Sequence, residues 1–285
     1  MINATRYRLD AEINRQGNLA KRIAHIQAQI STGLRIQAPS DDPIASARIA
    51  EIGRTQADHT VWIRNLNTAA NLAANGYTAL ASLKTAVDNA MGHVMSARTG
   101  SSSDQARAVS AAALRDIAAQ ITALSQTRDD RGEPLFRQTP IEIPVGPNQR
   151  IAPAASIETV FGPIDVPNSD PMTLGQIALA AANAAELPDP VMRETALAQA
   201  LTTLNAAIDH VVRVQGDQNL RGERIERFEK AIETNGLDLE EQRSSLESTD
   251  PLKAIADFKA LDVTLDAAQA VFAQVTQKSL FDLLR

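Results

Sequence analysis

Residues 31–43 read STGLRIQAPSDDP, and this break decides how the chain is organised. Upstream of it, Ile2, Leu9, Ile13, Gln16, Ala20, Ile23, Gln27, Ile30 and Leu34 recur at coiled-coil spacing, with Arg6 the one charged seam position. The run stops at Ser31-Thr32-Gly33. Ser40-Asp41-Asp42-Pro43 then offers capping side chains and a proline suited to a first helical turn, so a second helix is expected from Pro43.

Downstream, no proline interrupts the chain until Pro134, and a helix can run from Pro43 to about Arg98. Its expected inward residues are Ile52, Ile63, Leu66, Leu80, Leu83, Val87 and Val94. At 1.5 Å per residue such a helix spans about 80 Å. Thr99 to Ser103 reads as a turn. Asp104 can cap a third helix with Val109, Ala113, Ile117, Ile121 and Leu124 on one face, ending before Arg128-Asp129-Asp130-Arg131-Gly132. Eight of the thirteen prolines then fall between Pro134 and Pro171, among β-rich runs such as Ile141 to Val145 and Ile157 to Phe161.

Helical spacing returns after Pro188-Asp189-Pro190, linking Leu197, Leu201, Leu204, Ile208, Val211, Gln215, Gln218, Gly222, Ile225, Glu229 and Ile232. Thr249-Asp250-Pro251 caps a last helix with a seam of Ala254, Phe258, Leu261, Leu265, Ala268, Phe272 and Val275. The lengths are nearly mirror-symmetric: residues 2–34 match 252–284, and 43–98 match 191–246. The expected fold is mostly α, an elongated rod of long antiparallel helices with coiled-coil termini and a small β-containing insert at the tip. Three regions follow: residues 1–40 with 250–285 as a terminal coiled-coil region, 41–133 with 188–249 as a central helical rod, and 134–187 as a proline-rich insert with a short helix.

Composition narrows the function. The 285 residues are 44% hydrophobic but only 3% aromatic, a mixture that builds thin helices better than thick cores. A net charge of −6 with dispersed basic residues gives no reason to expect nucleic acid or an anionic membrane. No window is apolar enough to cross a bilayer, and the start MINATRYRLDAEINRQ has no apolar core of a secretory signal. There is no Cys, and His25, His59, His93 and His210 include no pair at metal-binding spacing. The adjacent carboxylates Asp41-Asp42 and Glu240-Glu241 point different ways, and no Gly-rich phosphate loop occurs. No catalytic, cofactor or metal residues are expected, and the chain is not expected to be an enzyme.

The terminal stripes leave two readings open on periodicity alone. They complete an intramolecular bundle, or they pack against other copies. Ordering some thirty residues costs more in backbone entropy than burying one apolar stripe returns, so each end helix is marginal alone. Leu280, Phe281, Leu283 and Leu284 carry apolar character to the last residues, which favours intermolecular burial. The expected assembly residues are Ile2, Leu9, Ile13, Ile23, Ile30, Leu34, Phe258, Leu261, Leu265, Phe272, Val275 and Leu280.

The motif breaks the tie. Ile30 to Ile36 followed by Pro39-Ser40-Asp41-Asp42-Pro43 resembles the N-terminal signature of the flagellin superfamily, in the version of its hook-associated branch. Leu261 to Ala270 and the apolar tail from Leu280 are similar to that family's C-terminal helix. The resemblance covers roughly residues 1–135 and 190–285. It implies a structural subunit exported through the flagellar type III apparatus with a chaperone on its C-terminal helix. Such a subunit would join a ring of copies between hook and filament, beside a neighbouring hook-associated protein and flagellin, and serve swimming motility. The filament flagellin itself and, less well matched, a cytoplasmic helical scaffold or chaperone are the alternatives.

Overall fold

The structure is a computed structural model that describes residues 2–99, 103–167 and 169–283; the side chains of residues 2–6, 8, 9 and 275–283 lie outside what is described. In chain order it forms α1 (Ile2–Thr32), α2 (Pro43–Arg98), α3 (Asp104–Ser125), β1 (Ile143–Gly146), β2 (Gln149–Ile151), α4 (Ile157–Phe161), α5 (Leu174–Ala185), α6 (Pro190–Glu247) and α7 (Pro251–Leu283). The fold is mostly α, and the sheet among the described residues is one antiparallel pair. The chain divides into two compact units, residues 1–57 with 235–285 and residues 58–234, so the boundary falls inside α2 and α6.

The second unit holds the main core. Leu80, Leu83, Val87 and Val94 of α2 pack with Leu197, Leu204 and Val211 of α6, Leu114, Ile117 and Ile121 of α3, and Leu174 and Ile177 of α5. Ala111 and Ala118 on α3 and Ala178, Ala181 and Ala182 on α5 are buried, and these small side chains let the two helices approach closely. Ser103, one residue before the expected cap, accepts the Ala106 amide at the start of α3, while Thr173 and Gln176 form a capping box on α5. A bidentate pair joins Arg115, midway along α3, to Glu186 at the end of α5.

The β1–β2 hairpin closes a second cluster, placing Ile143, Val145 and Ile151 over Leu66, Ala69, Ala73, Ile225 and Ile232. Its turn passes through Asn148 at φ 63°, a left-handed conformation that asparagine tolerates. Asn65 of α2 donates to the Pro144 carbonyl at 2.8 Å. Trp62 is half-buried beside this cluster and lies against His59, with ring centroids 5.2 Å apart.

Three local expectations are corrected. The run from Ile157 to Phe161, read as β-rich, is the helix α4. Ser156 caps it by accepting the Thr159 amide, and Val160 and Phe161 turn into the core against Phe136. Five residues are too few for β propensity to outweigh a cap and a buried face. Ile63 and Val109 are exposed rather than inward, because the core stripe of each helix runs through its neighbours Leu66 and Ser110.

One buried polar group fixes the register of α6. Gln218 is 2% exposed, and its Nε2 donates to the carbonyls of Ala73 at 3.0 Å and Pro153 at 2.8 Å. Its amide lies over Gly76, where a Cβ would sit 3.1 Å from Nε2. Gly92, also within α2, has nothing within 4 Å of an added Cβ. Helix propensity favours Ala over Gly by about 1 kcal/mol at both sites, but only at Gly76 must a doubly bonded amide move. Gly92→Ala is therefore expected to raise the urea midpoint of the purified chain and Gly76→Ala to lower it, read by circular dichroism.

Candidate assembly surface

The first unit is built around its two interhelical loops. Gly33 leaves α1 at φ +72°, and its amide donates to the Gln29 carbonyl at 2.9 Å. The chain then pairs with the segment before α7. Arg35 N donates to Glu247 O at 2.7 Å and Thr249 N to Gly33 O at 2.9 Å, around a bridge between Leu34 and Ser248. The Arg35 guanidinium reaches the Leu246 carbonyl at 3.0 Å and the Asp42 carboxylate at 3.2 Å. One arginine thus ties the α1–α2 loop to the C-terminal end of α6.

The motif residues Pro39, Ser40, Asp41, Asp42 and Pro43 stand in this bracket, and their chemistry is that of the backbone. Asp41 accepts the amides of Gln37 and Ala38 at 2.9 and 2.8 Å. Asp42 accepts the Ala45 amide at 3.0 Å and so caps α2, with Pro43 at its first position. Asp250 does the same for α7 through the amides of Leu252 and Lys253. Ser40 and Pro39 are exposed. The Ala38 and Gln37 amides hold the Asp41 carboxyl below its ordinary range, and the Ala45 amide, then Arg35, do so for Asp42. A carboxylate with a lowered pKa stabilises the loop above its ordinary value near 3.8 and loses that contribution as pH falls below it. Amide exchange at Gln37, Ala38 and Ala45, corrected for intrinsic rates, should lose protection as pH falls below about 4, and Asp41→Asn with Asp42→Asn should show the low-pH protection already at pH 6.

The end helices pair through a narrow seam. On α1, Leu19 and Ile23 are buried and Gln16 and Ile26 half-buried; on α7, Ala254 is buried and Phe258, Leu261, Leu265, Ala268 and Phe272 are half-buried. Gln16 Nε2 donates to the Ala268 carbonyl at 3.4 Å across it. Of the expected assembly residues, the seam takes Ile23, Phe258, Leu261, Leu265 and Phe272. Ile13, Ile30 and Leu34 remain exposed, Ile13 at 55%. Ile2, Leu9, Val275 and Leu280 lie outside the described side chains. Leu19 and Ile26 were missed, since the spacing 16, 19, 23, 26 shares Gln16 and Ile23 with the expected 16, 20, 23, 27. The larger side chains at 19 and 26 were the available signal.

Further apolar residues stay exposed. Tyr7 and Ile13 on α1 and Leu252, Ile255, Val263 and Val271 on α7 lie off the seam, with Tyr7 78% and Val263 69% exposed. A single neighbouring helix covers one apolar stripe, and these helices carry more than one. Within this unit the buried apolar residues, among those described, are Leu19, Ile23, Ala45, Ile52 and Ala254. What the arrangement offers is packing. His25 meets Gln29, half-buried His210 lies 3.2 Å from the Val160 carbonyl, and burial is the main cause lowering the His210 pKa. No group of His, Asp and Glu among the described residues could hold a metal ion.

Comparison with known proteins gives this surface its context. The bacterial flagellin N-terminal helical region matches residues 8–140. The chain is 23% identical to flagellar hook-associated protein 3 of Escherichia coli K12 over 287 residues, covering 90% of each chain. Its fold is similar to a solved structure described as a flagellar hook-associated protein from Vibrio parahaemolyticus, at TM-score 0.63 and 15% identity over 73% of this chain and all of that one. It is similar also to the flagellar junction protein FlgL of Legionella pneumophila, at TM-score 0.60 and 13% identity over 72% of this chain and all of that one. The chain is thus similar to flagellin over its N-terminal helical region and to hook-associated protein 3 along most of its length.

Weak burial at the ends has a direct consequence. Limited trypsin digestion of the isolated full chain is expected to trim it to about residues 40 and 250 while the second unit survives. Ends that stay intact under those conditions would show that α1 and α7 are secure without a partner.

Proposed function

We propose that the chain is a structural, non-enzymatic subunit of the bacterial flagellum that forms the junction between hook and filament. The observation that carries this reading is the likeness to flagellar hook-associated protein 3 along nine-tenths of both chains, joined to an end unit whose apolar faces outnumber its own partners. Copies of the chain form a ring, with a neighbouring hook-associated protein on one side and flagellin on the other. The residues that pack between copies are Ile13 and Ile30 on α1 and Leu34 just past its end, with Ile2 and Leu9 at the same coiled-coil spacing. Phe258, Leu261, Leu265, Phe272, Val275 and Leu280 contribute from α7, deepening the seam that Ile23 begins.

Residues 1–40 and 250–285 act as the assembly region, 41–133 and 188–249 as the rod, and 134–187 as an insert that supplies surface. Pro39 to Pro43 set the angle at which α1 leaves α2, a geometric role for a motif that carries no reactive group. The subunit travels through the flagellar export apparatus unfolded, with a chaperone covering the apolar C-terminal helix until assembly buries it. It works outside the cell without nucleic acid, cofactor or membrane insertion; among the described residues no helix is long and apolar enough to cross a membrane.

Deletion of the gene tests this directly. Electron microscopy should show bare hooks, an immunoblot should find flagellin lost to the medium, and swimming should cease until the gene is restored. Normal filaments on the deletion strain would overturn the junction role, and copies of the chain along the length of sheared filaments would favour a filament flagellin instead.

A further inference from the structure

A cleft on the second unit runs between α2 and the turn at residues 129–133 and encloses about 340 Å³. Asn65, Asn71 and Asn75 line it from α2, and Leu72, Ile141 and Ile143 give it an apolar strip. The wall opposite α2 is held by its own hydrogen bonds. Asp129 Oδ1 accepts the amides of Arg131 and Glu133 at 2.9 Å each, and the Gly132 amide donates to the Asp129 carbonyl at 2.9 Å. Gly132 supplies the left-handed φ of 79° within this turn.

The charges that line the cleft are balanced. Asp129 spends its carboxylate on amides, Glu133 pairs with Arg137 at 3.3 Å, and the remaining Asp130 and Arg131 are adjacent, exposed and opposite in sign. An ionic ligand therefore meets no net field. Asn71 is exposed and Asn75 half-buried, and neither side chain hydrogen-bonds to a described residue. A carboxamide both donates and accepts, so these two suit a neutral ligand that offers N–H and C=O groups together. Asn65, in the same cleft, already takes such a group: its Nδ2 donates at 2.8 Å to the Pro144 carbonyl in the extended strand β1. Spacing extends the match. Residues i and i+4 on a helix stand about 6 Å apart, and alternate residues of an extended chain repeat at about 6.6 Å. Asn71 and Asn75 are thus spaced to hold two alternate residues of one extended segment, each accepting from an N–H and donating to a C=O. None of the lining residues is aromatic, so a sugar ring finds no face to stack on.

We propose that this cleft binds an extended, uncharged peptide segment of another chain, with Asn71 and Asn75 holding its backbone and Leu72 and Ile141 receiving aliphatic side chains at alternate positions. Main-chain hydrogen bonds supply the affinity of such a contact, and the apolar strip selects the side chains. The site lies outside the end helices and stands independently of the junction reading.

The test is a nuclear magnetic resonance titration of the isotope-labelled full chain with the peptide acetyl-Thr-Val-Thr-Val-Thr-amide. The side-chain amide signals of Asn71 and Asn75 are expected to shift together, while that of Asn205, exposed on α6, stays in place. Asn71→Ala combined with Asn75→Ala should weaken binding about tenfold or more, the loss of two neutral hydrogen-bonded pairs. Asn205→Ala should bind as the unsubstituted chain does, and the same peptide N-methylated at every residue should not bind. Signals of Asn71 and Asn75 that stay fixed at millimolar peptide would overturn the site. Equal binding of the N-methylated peptide would overturn backbone recognition. Cellobiose moving the same two signals at lower concentration than the peptide would overturn the peptide as ligand and assign the cleft to a saccharide.

Discussion

The constraint on which the rest depends is that α1 and α7 carry more apolar surface than they can hide from water in each other. A two-helix pair buries one stripe per helix, and here that stripe is Leu19 and Ile23 against Ala254 and its half-buried successors. The outer residues, Ile13, Val263 and Val271 among them, remain in water. Backbone ordering is charged in full whether or not those side chains find a partner. On the proposed function, such ends gain their stability from neighbouring copies. In this view, function is the completion of a core divided among copies.

The second unit answers the opposite demand. Leucine and valine from α2 and α6 meet the alanine-rich faces of α3 and α5, so thin helices pack closely without large side chains. That choice explains how a chain with 3% aromatics still builds a full core, with Phe136 and Phe161 meeting edge to face where the insert joins it. Residues 134–187 are therefore anchored to the unit by buried side chains.

Polar groups supply what apolar periodicity cannot. A 3,4 stripe slides by a turn at small cost, and a register needs points of no compromise. Gln218 over Gly76 provides one in the second unit, and Arg35, bonded to Leu246 and Asp42, provides another in the first. The Ser-Asp-Asp-Pro motif belongs to the same class of device: its aspartates spend their charge on backbone amides.

The sequence by itself determined the long helices, their order and most of their ends. Proline-free stretches, the caps at Asp42 and Asp250 and the proline cluster after Pro134 act locally, through a residue's own backbone and its next few neighbours, so they can be read in one dimension. The Pro39 to Pro43 motif was legible for the same reason. Tertiary structure alone decided which of two overlapping stripes on α1 faces α7, since 16, 19, 23, 26 and 16, 20, 23, 27 point about 50° apart on the helix surface and only a partner chooses between them. It also decided that residues 157–161 coil into a helix, because Val160 and Phe161 gain a core there that outweighs their strand preference. The pairing of Gln218 with Gly76 and of Arg35 with Leu246 joins residues far apart in the chain. No local pattern encodes which distant carbonyl will lie within hydrogen-bonding reach, and only the packed fold brings donor and acceptor together.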